Sequence, residues 1–190
     1  MADDARPAST LIPRRFSRAE FDTMVGSGLF REGEKVELIE GVVASMMGEG
    51  FPHADAVDFL ADALTLVCPV GLKVRVRTRL DIGDDSEVYP DILVEVAGTK
   101  AADRSPASVH LLVEVSDTTL AADRNVKAAR YASEGFREYW VLDLNARKLW
   151  VHRDPADETW MDLSCVGEEG AAPLFAPGSE VSLASILTTG

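Results

Sequence analysis

The sequence predicts a mixed α/β domain in which a central sheet is flanked by helices. Three observations support this: two short apolar runs interrupted by carboxylates (89–98 and 110–117), segments of helical periodicity before and after them, and a hairpin pattern that follows. Apolar runs of this length are typical of strands buried on both faces, and such strands need helices to cover them. The predicted element order, α-β-β-α-β-β-β-α-β-β, indicates one mixed sheet with helices on its faces.

The N-terminal part of the chain predicts a tail followed by a helix. Residues 1–13 contain two prolines and no apolar periodicity, which is typical of a flexible tail, so we assign a single folded domain to 14–190. Ser17 and Glu20 form an S-x-x-E pattern, in which the hydroxyl and the carboxylate cap free backbone N–H groups. This pattern predicts a helix over roughly 17–26.

A hairpin and a second helix are predicted next. Apolar and β-branched residues over 36–46 predict two short strands, with Glu40–Gly41 as the turn between them. Residues 48–52 predict a loop. Over 53–67 apolar residues recur at intervals of three and four, which predicts a helix that packs one face on the sheet.

The alternating segment 73–80 predicts a strand with one cationic face. Side chains at every second position of a strand point to the same side. The cationic set is Lys73, Arg75, Arg77 and Arg79. Two readings remain open: this face lines a groove that follows nucleic-acid phosphates, or it is the solvated face of a strand near a sheet edge. Residues 82–88 then predict a turn-rich loop.

The second half of the chain predicts a helix and three strands. The helix is expected over 118–135, because its alanines favour helix and Gly135 can end it. Residues 139–144 and 148–153 predict a hairpin around Asn145–Ala146, and a further strand is predicted at 159–166.

Charge and cysteine content limit the classes of function. The formal net charge of −13 disfavours broad, non-specific DNA binding, which depends on neutralising phosphates, although it does not exclude a local basic groove. Cys68 and Cys165 belong to no CxxC pair and no Cys/His cluster, so neither a disulfide framework nor a zinc site is predicted. With no apolar signal core and no apolar run of about 18–20 residues, we expect a cytoplasmic protein without a membrane span.

Two acidic residues stand in segments where a carboxylate is costly. Asp91 begins an apolar strand directly after Pro90, and Glu114 lies between Val113 and Val115. An unpaired buried carboxylate costs several kcal/mol unless it lies at a cleft, meets a cation or binds a metal. Because carboxylate oxygens on neighbouring strands are hard ligands, the pair predicts a site for Mg²⁺ or Mn²⁺.

Lys127 is the candidate catalytic cation. Asp123, Lys127 and Tyr131 are four residues apart, so they form one stripe on the predicted helix. A helix that follows a strand packs back on the sheet, which brings this stripe close to the carboxyl end of the Glu114 strand. Lys127 would then orient the attacking water or offset charge in the transition state, with Asp123 and Tyr131 as supporting residues.

Structural readings of the same residues stay open at this point. Asp91 could only start a strand or cap a turn. Glu114 could pair with an arginine of the cationic segment as a structural salt bridge. Asp123 and Lys127 could form an ordinary surface pair contributing about 0.3–0.5 kcal/mol.

Three other polar residues occupy apolar or loop settings. Glu37 lies in the apolar sequence V-E-L-I, and His53 follows a Gly/Pro loop at a helix start. A histidine there is more often a helix-end residue than a ligand, so its support of the site is an alternative. Glu95 lies in a second apolar strand, and we expect it to face solvent at an edge or an interface.

The order of these segments resembles the Uma-type family of putative restriction endonucleases, part of the PD-(D/E)xK nuclease superfamily. The resemblance extends from about Arg15 to Leu187. It is carried by VELIEGVV (36–43), His53 before a helix, YPDILVEV (89–96), LLVEVSDTT (112–119) and DRNVKAARYASEGFREYWVLD (123–143). It implies a restriction-endonuclease-like core, with a mixed sheet between helices and a Mg²⁺-dependent phosphodiesterase site.

The resemblance also implies roles for individual residues. Asp91 matches the aspartate of the PD motif, and Glu114 matches the acid of the second motif. The simplest form of the superfamily has a lysine two residues after that acid, where this chain has Ser116, and Lys127 on the next helix matches the lysine instead. Glu37 matches an early acid and would be an additional metal-site or supporting group.

The leading hypothesis is therefore a metal-dependent endonuclease, acting on DNA rather than RNA. A homodimer is expected, because duplex cleavage often needs one site per strand, and the hairpin with Trp150 could supply the contact or belong to the core. Two alternatives remain: a nuclease scaffold without activity that serves as a binding or assembly module, and a hydrolase of small phosphoesters, which the net charge would hinder less.

Overall fold

The computed structural model describes residues 12–45 and 50–187, and its centre is a six-stranded mixed sheet. The central strands β7 (Val109–Ser116) and β8 (Glu138–Asp143) are parallel, and all other neighbours are antiparallel. The predicted fold class, a mixed sheet between helices, is confirmed. In spatial order the strands are β10 (Thr159–Val166), β9 (Lys148–Ala156), β8 (Glu138–Asp143), β7 (Val109–Ser116), β6 (Ile92–Val96) and β3 (Leu72–Val76).

Helices cover both faces of this sheet. Helix α2 (Phe51–Val67) and the short α4 (Ala184–Leu187) pack on one face. A helical segment between β7 and β8 packs on the other face; it is π-helical over Ala122–Lys127 and continues as α3 (Ala128–Ser133). The parallel β7–helix–β8 connection thus lays this segment across the sheet, as expected for a crossover between parallel strands.

The alternation of β7 decides which side chains can reach the site. Leu111, Val113 and Val115 face α2 and belong to one apolar core, which explains why the strand is apolar on that side. Leu112 and Glu114 point to the opposite face, where α3 packs. Glu114 is therefore a carboxylate on a buried face, and its charge must be balanced from the helix above it.

A second, four-stranded antiparallel sheet was not predicted. Its order is β2 (Val42–Ser45), β1 (Val36–Ile39), β5 (Ser86–Val88) and β4 (Leu80–Ile82). The β1–β2 hairpin and its Glu40–Gly41 turn are confirmed, with φ values of 49° and 75° at the two turn residues. The prediction of a loop over 82–88 was wrong, because the segment turns at Gly83 and returns as β5, paired with both β4 and β1.

The predicted strand over 73–80 was right only as far as Val76. β3 ends at Val76, because Arg77 adopts a left-handed backbone conformation (φ 47°) that breaks the alternation. The chain then enters β4 of the other sheet, so the four cations do not share one face. Arg75 pairs with the buried Glu95, and Arg79 pairs with Asp81 at 2.7 Å, whereas Lys73 is exposed on β3.

The two N-terminal helix predictions were accurate to within a few residues. α1 (Arg18–Gly26) begins after Ser17, whose side chain and that of Glu20 form the predicted reciprocal cap. α2 begins at Phe51, two residues before the predicted start, and Pro52 is tolerated there because the first helical N–H groups have no partner within the helix. Most of the predicted tail and part of the loop at 48–52 lie outside the described residues.

The strands β8, β9 and β10 form the meander predicted from the C-terminal part of the chain. Its buried His152 contacts the Tyr139 carbonyl through Nδ1 at 3.2 Å, and its ring packs against Trp160. Burial lowers the pKa of His152 to about 4, although the bond to the carbonyl acts in the opposite direction. The folded state therefore requires a neutral imidazole at this position.

We expect the free energy of unfolding to fall by about 2–3 kcal/mol as the pH drops from about 6.5 to about 4, owing to His152. In this window the unfolded chain binds a proton on the imidazole that the folded state excludes, so acid favours unfolding. Urea unfolding at several pH values would measure the effect in the wild type and in His152→Gln. The variant should show a shallower dependence, and the control His110→Gln should follow the wild type; parallel curves for wild type and His152→Gln would contradict the assignment.

Candidate active site

A cleft of about 260 Å³ opens where the carboxyl end of β7 meets the start of the following helix. Strand β1, helix α2 and the segment before β6 complete its walls. The structure brings together there most of the side chains selected from the sequence. Those that line the cleft are Glu37, His53, Asp91, Glu114, Asp123 and Lys127.

Asp91 is held in place from three directions. It lies immediately before β6 and is 4% exposed. Its Oδ2 accepts a hydrogen bond from the Val115 backbone N–H at 2.8 Å, and His53 Nε2 lies 3.3 Å from the same oxygen. Oδ1 lies 3.7 Å from Arg77 Nε. The aspartate thus ties β6 to β7 and still borders the cleft, so it does more than start a strand.

His53 links Asp91 to Arg77. Its Nδ1 lies 3.4 Å from Arg77 Nη2, and a guanidinium can only donate. If Arg77 donates to Nδ1, then Nε2 carries the proton and donates to Asp91. In this tautomer His53 orients the carboxylate, which is the supporting role considered from the sequence.

Glu114 and Lys127 form a buried ion pair. Nζ of Lys127 donates to Glu114 Oε1 at 3.0 Å, and the Tyr131 hydroxyl donates to the same oxygen at 3.2 Å. Lys127 is only 7% exposed, so the reading of a surface helix pair was wrong. The alternative that an arginine of the cationic segment pairs with Glu114 was also wrong, since Arg75 binds Glu95, Arg77 lies beside Asp91 and Arg79 binds Asp81.

Two further carboxylates surround Lys127. Glu37 Oε2 lies 3.1 Å from Nζ, and Glu37 Oε1 accepts the Tyr89 backbone N–H at 2.7 Å. Asp123 Oδ1 lies 3.8 Å from Nζ, while its Oδ2 accepts hydrogen bonds from Ser116 and Thr119. Lys127 is thereby held on three sides by carboxylates.

The cluster carries more negative than positive charge. Four carboxylates (Glu37, Asp91, Glu114 and Asp123) face Lys127 and Arg77, which leaves two negative charges if all groups are ionised. Burial raises the pKa of Glu114 well above its usual value, Lys127 opposes the shift, and the other three carboxylates add to it. Burial alone would lower the pKa of Lys127, but Glu114, Glu37 and Asp123 raise it, so the ammonium stays charged.

The donor set fits a hard divalent cation. Asp91 and Glu114 supply carboxylate oxygens from neighbouring strands at the cleft, and the excess negative charge favours a cation there. Among residues 12–45 and 50–187, no group of three or more His, Cys, Asp or Glu side chains is arranged so that it could hold a metal ion. Mg²⁺ can bind with so few protein ligands, because it commonly keeps several waters and takes one or two protein carboxylates together with substrate phosphates.

The helical segment at the site departs from the regular helix that the sequence predicts. Its π-helical part contains both Asp123 and Lys127, and both side chains line the cleft. Single π-helical turns are rare and are found frequently at functional sites. The spacing of four residues indicated a shared face, but nothing in it indicated the wider turn.

Several residues of the site were missed by sequence reasoning. Arg77 was assigned to a cationic strand face, yet its left-handed backbone aims it at Asp91. Ser116 was noted only as the place of a missing lysine, whereas its hydroxyl donates to Asp123 at 2.7 Å. Tyr89 supplies the backbone donor to Glu37. A polar residue at the carboxyl end of a buried strand was the signal that could have identified Ser116.

Comparisons with known proteins agree with this architecture. The family model Uma2, described as putative restriction endonuclease, matches residues 18–184. The crystal structure of a putative nuclease belonging to DUF820 from Anabaena variabilis ATCC 29413 aligns with a TM-score of 0.67 at 16% identity, over 91% of this chain and 98% of that chain. At this identity the likeness shows the fold alone. No curated protein matches the chain, and no helix within the described ranges is long and apolar enough to cross a membrane.

Proposed function

Because the chain belongs to the Uma2 family of putative restriction endonucleases, we propose that it is a divalent-metal-dependent nuclease with its reaction centre in the cleft at Asp91, Glu114 and Lys127. One observation carries the proposal: a buried lysine and an excess of carboxylates lie together in the cleft at the carboxyl end of the central strand β7. Such groups are costly in a core, and they are found where charge must be balanced during a reaction.

Asp91 and Glu114 would hold Mg²⁺ or Mn²⁺. The ion would lower the pKa of a water and stabilise negative charge on the phosphate. Val115 N–H and His53 hold the Asp91 carboxylate in one orientation through Oδ2, and Oδ1 lies 3.7 Å from Arg77 Nε. This arrangement removes the need to reorient the ligand during the reaction.

Lys127 would act on the phosphate or on the attacking water. Glu37 and Asp123 keep its ammonium charged and hold it at the cleft, and Tyr131 shares Glu114 Oε1 with it. In the reaction Lys127 Nζ would donate a hydrogen bond to a phosphate oxygen, where negative charge develops, in place of the one it donates to Glu114. The two remaining carboxylate partners would keep the lysine in place meanwhile.

The substrate is proposed to be nucleic acid, and DNA rather than RNA. A net charge of −13 opposes a long phosphate-binding track, so the contact would be local and centred on the cleft. Arg77 is the cation nearest to Asp91 that also retains exposure, with 35% of its side chain accessible. Affinity should therefore depend only weakly on salt compared with proteins that make many phosphate contacts.

A cleavage assay tests the proposal directly. Supercoiled plasmid, single-stranded DNA, RNA and bis(p-nitrophenyl) phosphate would be incubated with the full chain in Mg²⁺, in Mn²⁺ or in EDTA. We expect metal-dependent cleavage of a DNA substrate by the wild type and none by Glu114→Gln. Cleavage of the small diester alone would favour the hydrolase of small phosphoesters, and equal cleavage by Glu114→Gln would contradict the role proposed for Glu114.

A binding or assembly module without activity is the second candidate. Lys127 already pairs with three carboxylates, and a complete ligand shell is absent from the described part of the chain. Such a closed network can be stable without a metal. Folded protein that neither binds Mn²⁺ nor cleaves any of the substrates would support this candidate.

We further propose that two copies pair through β10 rather than through Trp150. Trp150 is half-buried, and the Arg124 guanidinium lies 3.4 Å from its ring centroid. Met161 and Leu163, on the edge strand β10, are 71% and 51% exposed. An exposed apolar edge strand is available for pairing with another strand.

A further inference from the structure

A second cavity lies beside the cleft and is not used by the proposed reaction. It has a volume of about 320 Å³ and lies between α1 and the four-stranded sheet. The surface that lines it is largely apolar, and charged side chains also take part in it. The residues that matter for the argument are Phe21, Val25, Val36, Arg77, Glu87 and Tyr89.

Only one layer of side chains separates this cavity from the cleft. Arg77 lines the cavity, and its Nε lies 3.7 Å from Asp91 Oδ1. Glu37 connects the two in a second place, since it accepts the Tyr89 N–H on one oxygen and pairs with Lys127 through the other. A molecule with a charged group in the cleft and a flat apolar group in the cavity would span this layer.

The cavity wall is fixed and aromatic. The Tyr89 hydroxyl donates to Glu87 Oε1 at 2.7 Å, and its backbone N–H donates to Glu37, so both ends of the residue are held. Phe21 also lines the cavity, but at 1% exposed its ring is packed within the wall. The Tyr89 ring and the planar Arg77 guanidinium are the kinds of group on which proteins stack nucleobases.

We propose that the cavity receives a nucleobase of the substrate, next to the phosphodiester that is held at Asp91 and Glu114. The inference deepens the proposed nuclease function and rests on it. A base and its phosphate are joined through one sugar, which suits a cavity whose Arg77 lies next to Asp91 of the cleft. Arg77 then contacts the base from one side while it orients Asp91 on the other, and the chain selects nucleotides over simple phosphodiesters.

The first test needs neither metal nor cleavage. Deoxynucleosides would be titrated into the full chain while the methyl signals of Val36 are followed by NMR. We expect these signals to shift in the wild type and in Val42→Phe, and to stay unshifted in Val25→Phe, where the larger side chain fills the cavity. Val25 and Val42 are 49% and 50% exposed, so the two substitutions are matched in burial. Absence of shifts in the wild type, or equal shifts in both variants, would overturn the proposal.

The second test couples the cavity to cleavage. Oligonucleotides that are intact, or that carry a tetrahydrofuran abasic site at the cleaved nucleotide, would be compared in Mg²⁺. Val25→Phe should lower kcat/KM on the intact substrate by about tenfold or more, the range expected from loss of one stacked base, and leave the abasic substrate unaffected. An equal loss on both substrates would contradict base binding. If the wild type cleaves neither oligonucleotide, the proposed nuclease function fails, and the nucleoside titration still decides whether the cavity binds a base.

Discussion

Replacing Lys127 with methionine is expected to lower turnover at least a hundredfold and to destabilise the metal-free protein by about 3–5 kcal/mol. The loss of turnover follows from removing the only cation that contacts Glu114 among the described residues. The loss of stability follows because Glu37, Glu114 and Asp123 stay buried without the ammonium that now balances them. Methionine is about as long as lysine and replaces its methylene stem with another apolar chain, so packing changes little.

Urea unfolding and Mn²⁺ calorimetry separate the two effects. The stability deficit of Lys127→Met should shrink as the pH falls, because protonation removes the unbalanced carboxylate charge. Mn²⁺ should still bind, since Asp91 and Glu114 remain, and it should raise the unfolding temperature of the variant more than that of the wild type. Lys148→Met, at an exposed lysine, is the matched control and should change neither property. A variant with full turnover would remove Lys127 from the mechanism.

The sequence was most informative where local patterns determine structure. Ser17 and Glu20 located a helix start because a capping box needs only four consecutive residues. The apolar runs of β6 and β7 identified the central strands because both faces of these strands are buried. The second sheet was missed because β4 and β5 have three residues each, which is too few to show an alternation. Its pairing with β1 is also long-range.

Arg77 illustrates a second limit. The alternation of cationic and apolar residues favoured a continuous strand through this position, and a non-glycine residue with φ 47° has no signature in a single sequence. The tertiary structure selects the conformation, since the Arg77 N–H donates to the Asp91 carbonyl and the guanidinium faces the Asp91 carboxylate. A residue assigned to a charged surface therefore belongs to the site.

Glu95 and Glu114 show how far the cost of a buried carboxylate can predict a site. Both lie in the same local sequence, L-V-E-V, on adjacent strands, and both are buried on the same side of the sheet. The expectation that Glu95 faces solvent was wrong. Burial would raise the pKa of Glu95, but Arg104 and Arg75 bind it and hold the pKa below its usual value.

The difference between these two glutamates lies in their partners. Two arginines balance Glu95 and leave a structural ion pair, whereas Glu114 shares one lysine with two other carboxylates beside a cleft. Those partners come from distant parts of the chain, so the sequence context around each acid could not distinguish them. The choice of Glu114 depended on the helix that follows it and on the family resemblance.

Asp91→Asn is expected to abolish Mn²⁺ binding while the protein stays folded. The amide keeps an oxygen that can accept the Val115 N–H, so the tie between β6 and β7 is preserved, but a neutral oxygen is a much weaker ligand than a carboxylate. Turnover should fall at least a hundredfold together with metal binding. Mn²⁺ titration calorimetry at low salt would measure the affinity, because carboxylate sites generally hold Mn²⁺ at least as well as Mg²⁺.

Asp143→Asn is the matched control for this experiment. Asp143 is also buried and also accepts a backbone N–H, from Ala146 at 2.9 Å, but it lies outside the cleft lining. We expect it to bind Mn²⁺ like the wild type, which would exclude a general effect of removing a buried aspartate. Unchanged binding in Asp91→Asn would remove this residue from the ligand set. Folded wild type that binds no Mn²⁺ would instead mean that the Lys127 ion pairs satisfy the carboxylates without a metal, and that the chain keeps the nuclease fold as a binding module.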